Sequence, residues 1–197
     1  MKVLCVTGTP GTGKTKIAKK LAKRLDFYYI DVNKLISKNK LSEGYDKKRK
    51  TKIVDINKLN KVVIDIIKQI KKVNESAPMS RARSTRTLTN LNIKKITLNK
   101  KYNGIIIDSH LSHYLPKRYI DMCIVTKCGI KELNKRLKRK KFHKDKIREN
   151  LQAEIFDVCY NEALEKKHKV IMIDTTKSFN ISSVAKHMGG LNAVKKG

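Results

Sequence analysis

The run GTPGTGKT at residues 8–15 has the residue types and spacing of a loop that wraps a chain of phosphates. Its glycines let successive backbone N–H groups turn inward, and a helix opening behind it adds the partial positive charge of its N-terminus. In such a loop Lys14 bridges the β- and γ-phosphates of a nucleotide, and the Thr15 hydroxyl ligates Mg²⁺. A second group, IIIDSH at 105–110, ends an apolar run on Asp108, a carboxylate suited to holding Mg²⁺ through water. His110, two residues on, is a candidate to position an attacking water or to sense the γ-phosphate. His113, in LSHY, is a further candidate whose plainer reading is a loop histidine. A third group is 131–148 (KELNKRLKRKKFHKDKIR), where ten basic side chains face only Glu132 and Asp145. That is the composition of a lid closing on phosphates. Arg136, in the helix leading into it, has the planar fork that grips phosphate oxygens during transfer. The plainer reading of this stretch is a solvated basic helix.

These groups need elements to hold them. KVLCVT at 2–7 is a short apolar run ending in the glycine loop, so a buried strand is expected. Ile17, Leu21 and Leu25, with Ala18 and Ala22 beside them, give a helix over 14–25 with one apolar stripe. FYYI at 27–30 reads as a second strand. Residues 31–54 are polar and broken by Gly44, with a short helix at 32–38. From Asp55, apolar residues at 56, 59, 63, 66, 67 and 70 repeat the helical pattern. GIIIDS at 104–109 and MCIVT at 122–126 read as strands, and Leu133 and Leu137 mark a helix after Gly129. A single long helix is expected over about 146–166, then a strand at 169–174 and a last helix at about 181–188. Strands alternating with helices argue a parallel sheet covered on both faces. Residues 75–100 fit this plan badly. They carry six Lys and Arg, little periodicity and few apolar groups, and are expected to form an inserted, mobile basic loop, with a weak hairpin or strand within 91–98.

Composition bounds the rest. The 197 residues suit one domain, or one domain with a small lid. Forty-seven Lys and Arg against 17 Asp and Glu give a formal charge of +30, which fits a phosphate-covered partner such as RNA and equally a Lys-rich genome. Apolar periodicity excludes a wholly disordered chain, and no run of about 18 apolar residues suggests a membrane span. The opening MKVLCVTGTP lacks a signal-peptide layout, and Cys5, Cys123, Cys128 and Cys159 lack metal-knuckle spacing. Reduced, mostly buried cysteines of a cytoplasmic protein are expected. A GTPase would show an NKxD guanine-reading motif, and no Asn-Lys pair here is followed by Asp at that spacing.

The chain resembles the adenylate kinase isoenzyme 6 family, archaeal type. The family comprises small P-loop proteins described as atypical adenylate kinases and as ATPases of small ribosomal subunit assembly. The matching blocks are GTPGTGKT at 8–15, YIDVNKLI at 29–36, EGYDKKRKTKIVD at 43–55, IIIDSHLSH at 105–113 and RLKRKKFHKDKIRENLQAEIFDVCYNEA at 136–163. The resemblance implies an α/β P-loop nucleoside monophosphate kinase fold, a five-stranded parallel sheet of order 2-3-1-4-5 with helices on both faces. It implies one catalytic domain over 1–197, with an AMP-binding section at 31–55 and a lid at 139–149. The implied reaction is ATP + AMP ⇌ 2 ADP with Mg²⁺, accompanied by ATP hydrolysis. The implied partner is a small-subunit ribosomal protein related to bacterial S11, with rRNA or a pre-ribosomal particle behind it and no membrane. An assembly ATPase with incidental kinase activity is the alternative. The resemblance places Gly11, Gly13, Lys14, Thr15 and Lys16 at the ATP phosphates, with Arg139 and Lys140 in the lid and Lys177 after the last strand also on ATP. It places Asp31, Gly44, Tyr45 and Asp46 at AMP, Thr15 and Asp108 at the metal, and Lys14, Asp108, His110 and Arg136 in catalysis. The family lid reads Arg-Gly-Tyr where this chain has Lys140, Lys141 and Phe142, so a point charge stands in place of a fork.

Overall fold

A computed structural model describes residues 1–47, 51–75, 86–88, 96–98, 100–177 and 179. Its centre is a parallel sheet of β1 (Lys2–Thr7), β2 (Phe27–Asp31), β7 (Gly104–Asp108), β8 (Met122–Lys127) and β9 (Val170–Asp174). Their spatial order is β2-β7-β1-β8-β9, which is 2-3-1-4-5 when these five strands are numbered alone. Alternation along β1 sorts the core into two layers. Val3 and Cys5 join α2 (Val32–Lys38) and α3 (Ile56–Glu75) on one face; Leu4 and Val6 join α1 (Lys14–Leu25) on the other. Ile105, Ile106 and Ile107 of β7 are all fully buried, as a strand covered on both faces requires. Each such side chain removed from water contributes roughly 1.5–3 kcal/mol.

The rest of the chain is hung on this sheet. α4 (Ile130–Arg139), α5 (Lys144–Ile155) and α6 (Val158–Glu165) follow β8, and a pair of single 3-10 turns, Ser112–Tyr114 and Lys117–Tyr119, follows β7. Three expectations are corrected. The polar stretch after α2 contains an antiparallel hairpin, β3 (Ser42–Asp46) with β4 (Thr51–Val54), Tyr45 opposite Lys52. Its more covered side along β3 carries Ser42, Gly44 and Asp46 rather than apolar residues, so no hydrophobic alternation announces it. The long helix expected over 146–166 is two helices, because Phe156 and Asp157 leave the helical path and Asp157 takes φ 52°. The break is anchored from β8: Lys127 Nζ donates to the Glu154 carbonyl at 2.9 Å and pairs with Asp157, while the Cys128 N–H donates to the buried Glu154 carboxylate at 2.8 Å. Ile155, which continues the apparent stripe, is 58% exposed. In the basic stretch the strand expected within 91–98 is present as β6 (Ile96–Leu98), antiparallel to β5 (Arg86–Leu88), but it is no part of a loose loop, since Leu98 is 2% exposed within the core. The C-terminal part of 75–100 therefore belongs to the packed body. The helix expected at 181–188 lies outside the described residues.

Candidate nucleotide site

The carboxyl ends of β1, β7, β8 and β9 converge on the phosphate loop. Gly8, Gly11 and Gly13 have φ of 134°, 97° and 93°. A Cβ on Gly8 would lie 2.5 Å from the Thr126 carbonyl oxygen, and one on Gly11 would lie 2.8 Å from Leu133 Cδ1. The loop is thus wedged between β8 and α4. A frame of buried threonines fixes its path. Thr12 Oγ1 donates to the Thr9 carbonyl at 2.8 Å and touches Thr126 Oγ1 at 2.6 Å; Thr175 Oγ1 bonds the Thr12 carbonyl. Lys14 is half-buried rather than out at the loop surface, as its place in a loop suggests, and its Nζ donates to the Thr9 carbonyl at 3.0 Å. Burial lowers its pKa to about 8, against the opposing pull of Cys159 and Asp108, which lie near enough to favour its charge. Thr15 and Lys16 are exposed at the mouth, and the Lys16 N–H bonds the Gly13 carbonyl at 3.0 Å.

Register fixes the direction of Asp108. It pairs with Val6 of β1 and Asp31 of β2, so it shares the face of Val6 and α1, the helix whose first turn carries Thr15. It is 4% exposed, and Tyr29 Oη donates to its Oδ2 at 2.8 Å. Asp31 instead caps α2, accepting the Lys34 N–H at 3.0 Å. His110 stands exposed at the mouth of the cleft. Poor hydration in the cleft, with Lys14 and then His113 and Lys146 nearby, lowers its pKa to about 4. The imidazole is therefore neutral at pH 7 and retains a lone pair. His113 is a buried structural link: it meets Thr7 Oγ1 at 2.7 Å through Nδ1 and Glu162 Oε2 at 2.9 Å through Nε2, tying the root of the phosphate loop to α6.

Over the loop sits the α4–α5 pair. Leu133 and Leu137 of α4 pack with Phe142, Ile147 and Leu151. α4 ends in a Schellman turn: the Lys141 N–H bonds the Lys138 carbonyl at 2.9 Å and the Phe142 N–H bonds that of Leu137 at 3.4 Å, with Lys141 at φ 55°. Lys141 thus occupies the left-handed position of this turn. Lys140 is close enough to disfavour the charge on Lys14. Arg139 is largely exposed and reaches Glu132 at 3.4 Å. Arg136 points elsewhere than into an open lid: Nε donates to Glu132 at 2.9 Å, and its terminal nitrogens donate to Thr175 Oγ1 at 3.2 Å and the Thr175 carbonyl at 2.7 Å. It staples α4 to the segment after β9, the same segment that holds Thr12 and leads to the exposed Lys177.

Gly44, Tyr45 and Asp46 lie on the β3–β4 hairpin, apart from the phosphate loop, with Tyr45 55% exposed. The hairpin is moored to its neighbours by Lys52, which donates to Ser37 Oγ at 2.9 Å, and by the Lys58–Glu43 pair. Sequence reading passed over Tyr29, Thr126, Thr175 and Lys146. The two threonines had one legible signal, a hydroxyl directly ending or following an apolar strand (MCIVT, VIMIDT).

A doubly covered parallel sheet with a glycine loop running from β1 into α1 defines a P-loop nucleotide-kinase fold. The same fold is seen in the deoxyadenosine kinase of M. mycoides solved with bound dATP, at TM-score 0.52 and 13% identity over 96% of this chain and 100% of that one. A family described as "AAA domain" matches residues 4–157. A Methanocaldococcus jannaschii protein with the name "Putative adenylate kinase" is 33% identical over 173 residues, 88% of this chain and 76% of the relative. "Adenylate kinase isoenzyme 6 homolog FAP7" of Saccharomyces cerevisiae is 29% identical over 187 residues, 93% of this chain and 78% of the relative. The chain belongs to this AAA-domain family and, with these relatives, to the adenylate kinase isoenzyme 6 family of nucleotide kinases. No helix among the described residues is long and apolar enough to cross a membrane.

Proposed function

We propose that the protein is an adenylate kinase: the terminal phosphoryl group of ATP passes to an α-phosphate oxygen of AMP, giving two ADP. The observation that supports this reading is that Lys14, Asp108 and His110 stand at one end of the sheet; the separate β3–β4 hairpin, joined to α2 through Lys52 and Ser37, would serve a second nucleotide. Lys14 would exchange its bond to the Thr9 carbonyl, and the Lys16 N–H its bond to the Gly13 carbonyl, for phosphate oxygens, with the N–H groups of Gly11 and Gly13 completing the cradle. Lys140 and Arg139 would close over it from the lid at 139–149. Arg136 and Thr175 would hold the far wall, beside Lys177. Asp31, Gly44, Tyr45 and Asp46 would serve AMP within 31–55.

The donors suit Mg²⁺. Asp108 and Thr15 offer oxygen only, and no cluster of three His, Cys, Asp or Glu among the described residues makes an all-protein cage. A hard ion held by one carboxylate, one hydroxyl, water and nucleotide phosphates is the usual arrangement. Bound there, Mg²⁺ would neutralise charge on the transferring phosphoryl group.

A second reading rests on His110. A neutral imidazole open to solvent beside Lys14 is placed to orient water, so ATP hydrolysis would accompany transfer. The +30 charge supports service on an RNA-rich particle, with a small-subunit ribosomal protein related to bacterial S11, pre-ribosomal rRNA and the cytoplasm as the setting. The basic stretch at 75–100 would add to that contact. The test is ATP consumption with and without AMP, across all nucleoside monophosphates. Turnover that requires AMP supports the kinase; equal turnover without any acceptor supports the assembly ATPase.

A further inference from the structure

We propose that Tyr29 is a positioning residue for the Asp108 carboxylate, setting which oxygen faces the nucleotide; the inference rests on Asp108 as the Mg²⁺ carboxylate. Tyr29 pairs with Ile106 in the β2–β7 ladder, and Asp108 lies two residues further along the same face. Such diagonal neighbours are beyond the reach of short side chains but within that of a tyrosine. Its hydroxyl closes the gap at 2.8 Å onto Oδ2, while Lys19 of α1 lies 5.9 Å from the ring centroid on the cation–π side. The ring is therefore contacted at its hydroxyl and on one face.

The bond has two consequences. It fixes the carboxylate plane so that Oδ1 is the oxygen left to turn toward the loop. It also supplies a neutral partner to an almost fully buried anion, beside a cation that would otherwise claim it. Among the described residues Lys14 and Asp108 form no ion pair: Lys14 is held by the Thr9 carbonyl and Asp108 by Tyr29. Each charge is thereby available when nucleotide and metal arrive, and neither has first to be pulled from the other. An outer partner of a metal-binding carboxylate commonly governs metal affinity by about 10–100-fold.

The test is Tyr29→Phe, which keeps the ring and deletes one oxygen. ADP binding is measured by calorimetry in EDTA, Mn²⁺ binding to the ADP complex by electron paramagnetic resonance, and the melting temperature alongside. The expected result is Mn²⁺ affinity lowered about tenfold, with metal-free ADP affinity unchanged and the melting temperature lowered by only a few degrees, the loss of one partner to a buried carboxylate. Unchanged Mn²⁺ affinity overturns the proposal, as does a parallel fall in metal-free ADP binding, which would make Tyr29 a wall of the nucleotide pocket. Asp108→Asn separates the two levels of the argument. If it too leaves Mn²⁺ affinity intact, the metal role of Asp108 fails; if it abolishes binding while Tyr29→Phe does not weaken it, only the positioning role fails.

Discussion

Among the described residues the backbone turns left-handed at two kinds of place, and they are built from different residues. In the phosphate loop the positions are Gly8, Gly11 and Gly13; at the ends of α1, α2, α4, α5 and α6 they are Asp26, Lys40, Lys141, Asp157 and Lys167. Left-handed torsion costs an ordinary residue only about 1–2 kcal/mol, which helix ends tolerate where the side chain has room, in solvent or, as at Asp157, beside an ion-pair partner. The loop has no such freedom, since a Cβ on Gly8 or Gly11 would strike β8 or α4. Packing, more than torsion, makes glycine obligatory at Gly8 and Gly11, whereas at Gly13 a Cβ would meet Thr175 only at 3.7 Å and torsion is the constraint. The same contrast separates the buried threonines that fix the phosphate loop, the floor of the candidate site, from the turn of exposed lysines after α4, which is the lid in the function proposed above.

Substitutions on the floor and in the lid should differ accordingly. Lys14→Ala should cut turnover about 100-fold or more, the usual loss when one charge aimed at the reacting phosphates is removed, with the melting temperature little changed. Near-wild-type turnover would refute the floor assignment. The wild-type enzyme adds a check against pH. The free Lys14 ammonium is charged below about 8 and neutral above it, so kcat/KM should begin to fall near pH 8, far below the range of an ordinary lysine.

Gly11→Ala should destabilise by about 3 kcal/mol, combining torsional cost and overpacking against Leu133. Thermal denaturation tests it; a loss under about 1 kcal/mol would mean α4 yields readily, and the contrast with the lid would dissolve. His110→Ala should lower hydrolysis without acceptor about tenfold more than transfer to AMP, because AMP is placed by its own section whereas water needs a group to place it. Equal losses in the two assays would leave His110 as a support of its loop. The smallest effect belongs to the lid turn. Lys141→Gly should stabilise by about 0.5–1 kcal/mol, the relief of left-handed strain less the added freedom of the unfolded chain. A fall in melting temperature would show that the Lys141 side chain has a contact of its own.

Local signals wrote much of this protein into its sequence. The apolar runs at 2–7, 104–108 and 122–127 are strands because only a doubly covered sheet buries both of their faces, and the α1 and α3 stripes have the period of a helix. The spacing in GTPGTGKT and the Asp at the end of IIID marked two parts of the candidate site in the same way, and the structure brings them to one end of the sheet. What tertiary structure decided involves partners far apart in the chain. Arg136 looked like a lid cation and is spent on Thr175; His113 is a buried link between Thr7 and Glu162; Tyr29 reaches Asp108 across 79 positions. The helix expected through 156–157 breaks because Lys127 and Cys128 of another segment draw Glu154 and Asp157 inward, and Leu98 enters the core from a stretch whose composition announces a loop. A period or a glycine spacing is a property of neighbours along the chain and is visible there. Which buried hydroxyl, carboxylate or carbonyl meets a given donor is settled only when sheet register and helix packing bring distant residues within about 3 Å.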